Sequence, residues 1–131
     1  MEYSTSSHTK FLLLIHVILV VKYRKPLLIG KVTETLKLSL AELADRSEFT
    51  TEEMEVDRDH LHVLIAITPR YSVSQYVRRI KQQTTLTLWK EFPFLYRHFW
   101  RERTFWSDGY FACSIGNASE ETIRRYIQEQ G

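Results

Sequence analysis

Apolar and polar residues alternate most regularly between His60 and Thr68 (HLHVLIAIT), a run closed by Pro69. Leu61, Val63, Ile65 and Ile67 fall on one side and His60, His62, Leu64 and Ala66 on the other, the period-2 pattern of a strand. Phe11 to Val21 (FLLLIHVILVV) is an almost unbroken apolar run that stops at Lys22-Tyr23-Arg24-Lys25-Pro26, and it predicts a buried strand. Val32, Leu36, Leu40 and Leu43 recur at helical spacing and predict an amphipathic helix over 31–46. A strand over Phe49 to Asp57 is more weakly marked, with Met54 and Val56 facing inward. Ser72 or Ser74 can cap a long helix to about Phe92 with Val73, Tyr76, Val77, Ile80, Thr84 and Leu88 inward. Asp108-Gly109 is a two-residue hairpin signal and predicts antiparallel strands at Arg101 to Ser107 and Tyr110 to Ile115. Ser119 then caps a final helix, with Glu120 and Glu121 at its positive end.

The predicted order is strand, helix, strand, strand, helix, strand, strand, helix. This is α+β: a single antiparallel sheet with helices packed against it, broadly ferredoxin-like. With 131 residues, four glycines, three prolines and no repeat, the chain reads as one continuous domain spanning 1–131. A lone cysteine, Cys113, excludes an internal disulfide framework and a zinc site built on several thiolates, so the expected compartment is a reducing cytoplasm. The longest apolar run holds His16 and is far short of the roughly 20 residues a membrane span needs. No membrane partner is expected. The net charge is only +2, but it is distributed unevenly. Residues 70–103 hold eight basic residues against Glu91 and Glu102, and residues 45–59 hold seven acids against two arginines. Blocks of this kind make a surface with positive regions that a polyanion can use.

His60 and His62 lie two apart in a strand, so their side chains share a face with Cα atoms about 7 Å apart. Two imidazoles can converge on one divalent cation from there, with oxygen ligands suiting Mg²⁺ or Mn²⁺ and nitrogen-rich completion suiting Zn²⁺. On spacing alone the pair reads first as ordinary half-buried histidines. A cupin-type site would want a Glu shortly after the second histidine, where Ala66 and Thr68 stand, and the His-Glu-x-x-His of a zincin is absent. In the last helix Thr122, Tyr126 and Gln130 form a polar stripe beside the apolar Ile123 and Ile127. A terminal-helix tyrosine is commonly a packing residue, and a phenol with only about one molecule in a thousand ionised at neutral pH needs a metal or base to act as a nucleophile.

Together these constellations are more specific than either alone. Asp59-His60-Leu61-His62-Val63-Leu64 resembles the histidine-hydrophobe-histidine (HUH) motif, and Ile123-Arg124-Arg125-Tyr126-Ile127-Gln128-Glu129-Gln130 resembles the terminal helix of single-tyrosine HUH transposases of the insertion sequence 200/605 group. The resemblance runs over nearly the whole chain. His16-Val17 through Lys22-Tyr23-Arg24-Lys25-Pro26 resembles the family's first strand and its exit. Tyr71-Ser72-Val73-Ser74 resembles the entry to its middle helix, and Trp106-Ser107 and Tyr110-Phe111 its late hairpin. Asp57-Arg58 departs from the hydrophobe-proline pair that often precedes the aspartate in relatives, which alters a turn and not a ligand.

The resemblance implies the HUH endonuclease version of a ferredoxin-like (RRM-like) fold. It also implies a metal-dependent enzyme that cleaves and rejoins single-stranded DNA with hairpin ends at insertion-sequence ends through a covalent 5′-phosphotyrosine intermediate. Carried over to this chain, His60, His62 and Gln130 hold Mg²⁺ or Mn²⁺ and Tyr126 is the nucleophile. The enzyme is expected to be a homodimer with active sites shared between subunits. The absence of a Gly-rich phosphate loop agrees with bond energy stored on tyrosine and no ATP. Arg78, Arg79, Lys81, Arg97, Arg101 and Arg103 are candidates to neutralise the DNA backbone, with Tyr76, Trp89, Trp100 and Trp106 available for base stacking. Two other readings stay open: a noncatalytic nucleic-acid-binding module on the same sheet, and a domesticated HUH nickase acting on hairpin repeats.

Overall fold

The computed structural model describes residues 13–99, 102–114 and 120–130. Its regular elements are β1 (Leu13–Val20), α1 (Gly30–Arg46), β2 (Phe49–Asp57), β3 (His60–Ile67), α2 (Val73–Glu91), β4 (Phe111–Ser114) and α3 (Glu120–Glu129). Short 3-10 turns at Lys22–Arg24 and Pro93–His98 follow β1 and α2. Every strand pairing is antiparallel, in the order β2-β3-β1-β4, so the two central strands come from the two most apolar stretches of the chain. This is the ferredoxin-like arrangement expected from the order of elements. Among the described residues no helix is long and apolar enough to cross a membrane.

One face of the sheet makes the main core. Ile15, Val17, Leu19 and Val21 of β1 and its exit, and Leu61, Val63, Ile65 and Ile67 of β3, pack with Val32, Leu36, Leu40 and Leu43 of α1 and Tyr76, Val77, Ile80 and Leu88 of α2. The helical spacing read from the sequence is therefore the spacing that is buried. Ser72, and not Ser74, caps α2: the Gln75 backbone N–H donates to Ser72 Oγ at 3.1 Å, and the Ser72 N–H donates to Gln75 Oε1 at 2.8 Å.

The predicted strand over 101–107 is not a strand. Among its described residues only Trp106 bridges to Val21, and the sheet has four strands where the sequence pattern suggested five. The cause is polar. The Lys81 ammonium of α2 donates to the carbonyls of Ser107, Asp108 and Gly109 at 2.7, 3.0 and 2.8 Å, which draws this loop toward α2 and away from a hairpin ladder. The same segment is pinned from α2 twice more, by Trp89 Nε1 donating to the Thr104 carbonyl at 2.9 Å and by Trp106 Nε1 donating to Thr84 Oγ1 at 3.0 Å. Phe11, Ile115 and the predicted cap Ser119 lie outside the described residues.

Thr84 is fully buried and passes its own proton to the Ile80 carbonyl at 2.6 Å. Thr84→Val keeps the shape and leaves the buried Trp106 indole N–H without an acceptor, which should cost about 1–3 kcal/mol. A urea unfolding curve should show a lower midpoint with an unchanged slope.

Candidate active site

The sheet face opposite the main core carries three imidazoles. Strand alternation puts His16 and Ile18 of β1 on that face with His60, His62 and Leu64 of β3, and the register pairs His62 with Ile18 and His60 with Val20. His16 Nδ1 lies 2.9 Å from His62 Nε2, so the two rings share a proton. Glu55 stands opposite His62 from β2. Burial first, and then the neighbouring His16, holds the His62 pKa below its ordinary 6.5. His62 is thus neutral near pH 7, the form that can bind a metal.

His60 is fixed from the turn before it. Its Nδ1 lies 2.9 Å from Asp59 Oδ1, and the Arg24 Nε–H donates to Asp59 Oδ2 at 3.2 Å. Burial alone would raise the Asp59 carboxyl, but hydrogen bonds from His60 and Arg24 outweigh it and leave the pKa below the ordinary 3.8. An ionised carboxylate only accepts, so His60 donates from Nδ1, and the neutral ring oriented this way has its lone pair on Nε2. Arg24 reaches Asp59 from an unusual backbone: Tyr23 and Arg24 both have positive φ, at 62° and 51°. Neither is glycine, so the turn holds strain. It is held by Lys22 N–H on the Phe105 carbonyl, Arg24 N–H on the Val21 carbonyl, and Glu102, which accepts from Lys22 Nζ at 2.8 Å and the Tyr23 hydroxyl at 3.1 Å.

Tyr126 lies on the same face. In register, His62, Ile18 and Phe111 form one row across β3, β1 and β4, which spans about 10 Å at ordinary strand spacing. The Tyr126 ring packs on Phe111 with centroids 5.6 Å apart. Its hydroxyl rests over the loop anchored by Lys81, where a Cβ added at Gly109 would stand 3.7 Å away. Among the described residues this buried hydroxyl has no hydrogen-bond partner, and burial pushes its pKa above the ordinary 10.0. The end of α3 approaches the histidine strand at Arg24, whose Nη1 lies 3.5 Å from the Gln128 carbonyl. Gln130 is half-buried one turn beyond Tyr126.

Two imidazoles on one face, one of them oriented by a carboxylate, suit a divalent cation. Among the described residues no third His, Cys, Asp or Glu completes a metal-binding group. An amide oxygen such as that of Gln130, water or phosphate would have to complete the coordination of an ion there.

The basic candidates are spread around α2. Arg78 and Arg103 line a cleft of about 680 Å³ together with Lys90, Trp89 and Tyr96. Arg78 and Arg79 also line a second cleft of about 480 Å³ with Arg46, Arg70 and Tyr71. Arg97 is exposed on the 3-10 turn after α2, and Arg101 and Trp100 lie outside the described residues. Lys81 is committed to the three loop carbonyls. Tyr76 and Trp106 are only 3% exposed and belong to the core, so they are not stacking platforms. Sequence reasoning passed over the contacts of His16, Asp59 and Arg24 with the histidines, and over Tyr96, which packs edge-on against Trp89.

The fold is one shared with DNA transposases. A crystal structure from Deinococcus radiodurans assigned as a transposase superposes with a TM-score of 0.86 at 25% identity, covering 99% of this chain and 98% of that one. A REP-associated tyrosine transposase bound to a REP hairpin shares the fold at a TM-score of 0.58 and 15% identity, over 95% of this chain and 68% of that one. Residues 9–130 match the family described as Transposase IS200 like, and the chain belongs to that family. It is 29% identical over 115 residues to the ISDra2 transposase TnpA of Deinococcus radiodurans, covering 88% of this chain and 81% of that protein. It is equally 29% identical over 124 residues to the transposase for insertion sequence element IS200 of Salmonella typhimurium, covering 95% and 80%. Membership implies DNA cleavage and strand transfer in general.

Because the Asp59 pKa is depressed in the folded state, its contribution to stability is fully present above 3.8 and is lost as pH falls through its lower folded value. Asp59→Asn should therefore melt below wild type at pH 7, and the gap should close as pH drops below 3.8. A Tm gap constant across an acid titration would contradict this.

Proposed function

We propose that this transposase cleaves and rejoins single-stranded DNA with hairpin ends at insertion-sequence ends, in the cytoplasm, through a covalent bond between Tyr126 and a 5′ phosphate. The observation that carries the reading is the shared face of His60, His62 and Tyr126. In the reaction the Tyr126 oxygen loses its proton and bonds to phosphorus as the bond to the 3′ oxygen breaks. That oxygen takes up a proton and leaves as a 3′ hydroxyl, while the 5′ phosphate stays on the tyrosine. A 3′ hydroxyl at a new junction later reverses the attack. When bound by His60, His62 and Gln130, Mg²⁺ or Mn²⁺ supplies Lewis-acid stabilisation of the charge that builds on the phosphate oxygens. Arg78, Arg79 and Arg103 neutralise the DNA backbone along the clefts, and Trp89 and Tyr96 offer faces for unpaired bases.

A phenol buried against Phe111 is not yet a nucleophile. The Phe111 on which it packs stands two strands and about 10 Å from His62, and the Tyr126 pKa is raised and not lowered. This supports a homodimer in which the tyrosine helix of one subunit serves the histidines of the other.

Incubation with single-stranded DNA from its own element ends and Mg²⁺ should give a protein-DNA adduct that survives denaturation. Tyr126→Phe should bind DNA and give no adduct, while His60→Ala, His62→Ala or added chelator should abolish it. Gln130→Ala should be milder, since water can replace one amide oxygen. Mixing the inactive Tyr126→Phe and His60→Ala proteins should restore the adduct if sites are shared between subunits. DNA binding with no adduct from wild type would leave the noncatalytic module standing instead.

A further inference from the structure

His60 and the tyrosine helix are tied to one another through the Arg24–Asp59 ion pair. Arg24 donates from Nε to Asp59 Oδ2 at 3.2 Å, and its Nη1 lies 3.5 Å from the Gln128 carbonyl at the end of α3. The other oxygen of Asp59 takes the His60 Nδ1 proton at 2.9 Å. A cation at the carboxyl end of a helix faces unpaired carbonyls and the negative end of the macrodipole, so the Arg24 charge suits both of its partners. Asp59 is the more enclosed member of the pair, with side-chain exposure of 20% against 39% for Arg24. Arg24 is aimed by the strained turn at Tyr23 and Arg24, whose positive φ values persist because Glu102, Phe105 and Val21 hold it from outside.

We propose that Asp59 and Arg24 are positioning residues, Asp59 fixing His60 with its Nε2 lone pair free for a metal ion and Arg24 holding both Asp59 and the carboxyl end of the tyrosine helix. The inference rests on the metal reading of the histidines given above. It adds residues outside the histidine pair and the tyrosine, and explains how one short turn sets the geometry of both. A carboxylate has enough lone pairs to serve Arg24 and His60 at once, whereas an amide has one oxygen. In Asp59→Asn the guanidinium, which only donates, claims that oxygen. The amide N–H₂ then faces His60 Nδ1 and favours the tautomer with the proton on Nε2, where no metal can bind. Removing the competing donor should undo this. In the double variant Arg24→Met with Asp59→Asn the amide oxygen can turn back to the His60 Nδ1–H.

The test uses metal-free and Mn²⁺-titrated protein. Imidazole ¹⁵N spectra should show the Nδ1–H tautomer of His60 in wild type, a shift toward Nε2–H in Asp59→Asn, and recovery in the double variant. Mn²⁺ affinity by calorimetry should fall about 10- to 100-fold in Asp59→Asn and partly recover in the double variant. Arg24→Met alone should keep the His60 tautomer but speed amide hydrogen exchange over 126–130. If wild type binds Mn²⁺ and neither tautomer nor affinity changes in Asp59→Asn, the positioning role is overturned and the metal reading stands. If wild type takes up no Mn²⁺, both fall. Unchanged exchange in Arg24→Met overturns the grip on the helix.

Discussion

The whole site depends on the two-sidedness of β3, a strand bonded along both edges to β1 and β2. Leu61, Val63 and Ile65 are fully buried and Ile67 nearly so, each worth about 1.5–3 kcal/mol against exposure. A one-residue slip would turn all four outward and drive His60 and His62 into the apolar core, so register is held by several large terms of the same sign. The histidines face outward because their neighbours cannot. The same alternation in β1 sends His16 beside His62 and sets Ile18 between His62 and Phe111.

What the sheet leaves undetermined, two cations supply. Lys81 reaches from α2 to gather the carbonyls of Ser107, Asp108 and Gly109, and this makes the floor on which the Tyr126 hydroxyl rests. Burial lowers the Lys81 pKa, yet a site made of three carbonyls still suits an ammonium with three protons to give. Arg24 does the corresponding work two residues further along α3, at the Gln128 carbonyl. The tyrosine between these anchors is at rest: its hydroxyl is buried without a partner among the described residues, which costs about 1–3 kcal/mol. Any arrangement that gives it a partner recovers that energy.

The parts of this architecture legible in the sequence are those written as periodicity. HLHVLIAIT marked β3 and its histidine face, the 32-36-40-43 spacing marked α1, and Ser72 or Ser74 marked the start of α2, where Ser72 proves to be the cap. The segment over 101–107 failed because its conformation is set by partners far along the chain. Lys81, Trp89 and Thr84 of α2 hold it by contacts that local turn chemistry does not encode, and Asp108-Gly109 was read as a hairpin for the same reason. Lys81 stood beside Arg78 among the candidates to neutralise a DNA backbone, and only the folded loop, whose carbonyls it gathers, distinguishes the two. His16 was visible in the apolar run at an even spacing from Ile18, but its value lay in a cross-strand diagonal to His62 that needs the register to be known. The candidate site was thus half legible: its chemical groups could be named, and the groups that orient them could not.

The central claim is that the histidine face of the sheet is the metal face. Titrating ¹⁵N-labelled protein with Mn²⁺ and mapping paramagnetic broadening tests it most directly. The account predicts the strongest broadening at His60 and His62, then at Val20 and Ile18 across the strand pair, with Leu38 and Arg78 on the outer helices spared. Broadening centred on the acidic residues of β2, such as Glu52, or spread evenly over the surface, would contradict it.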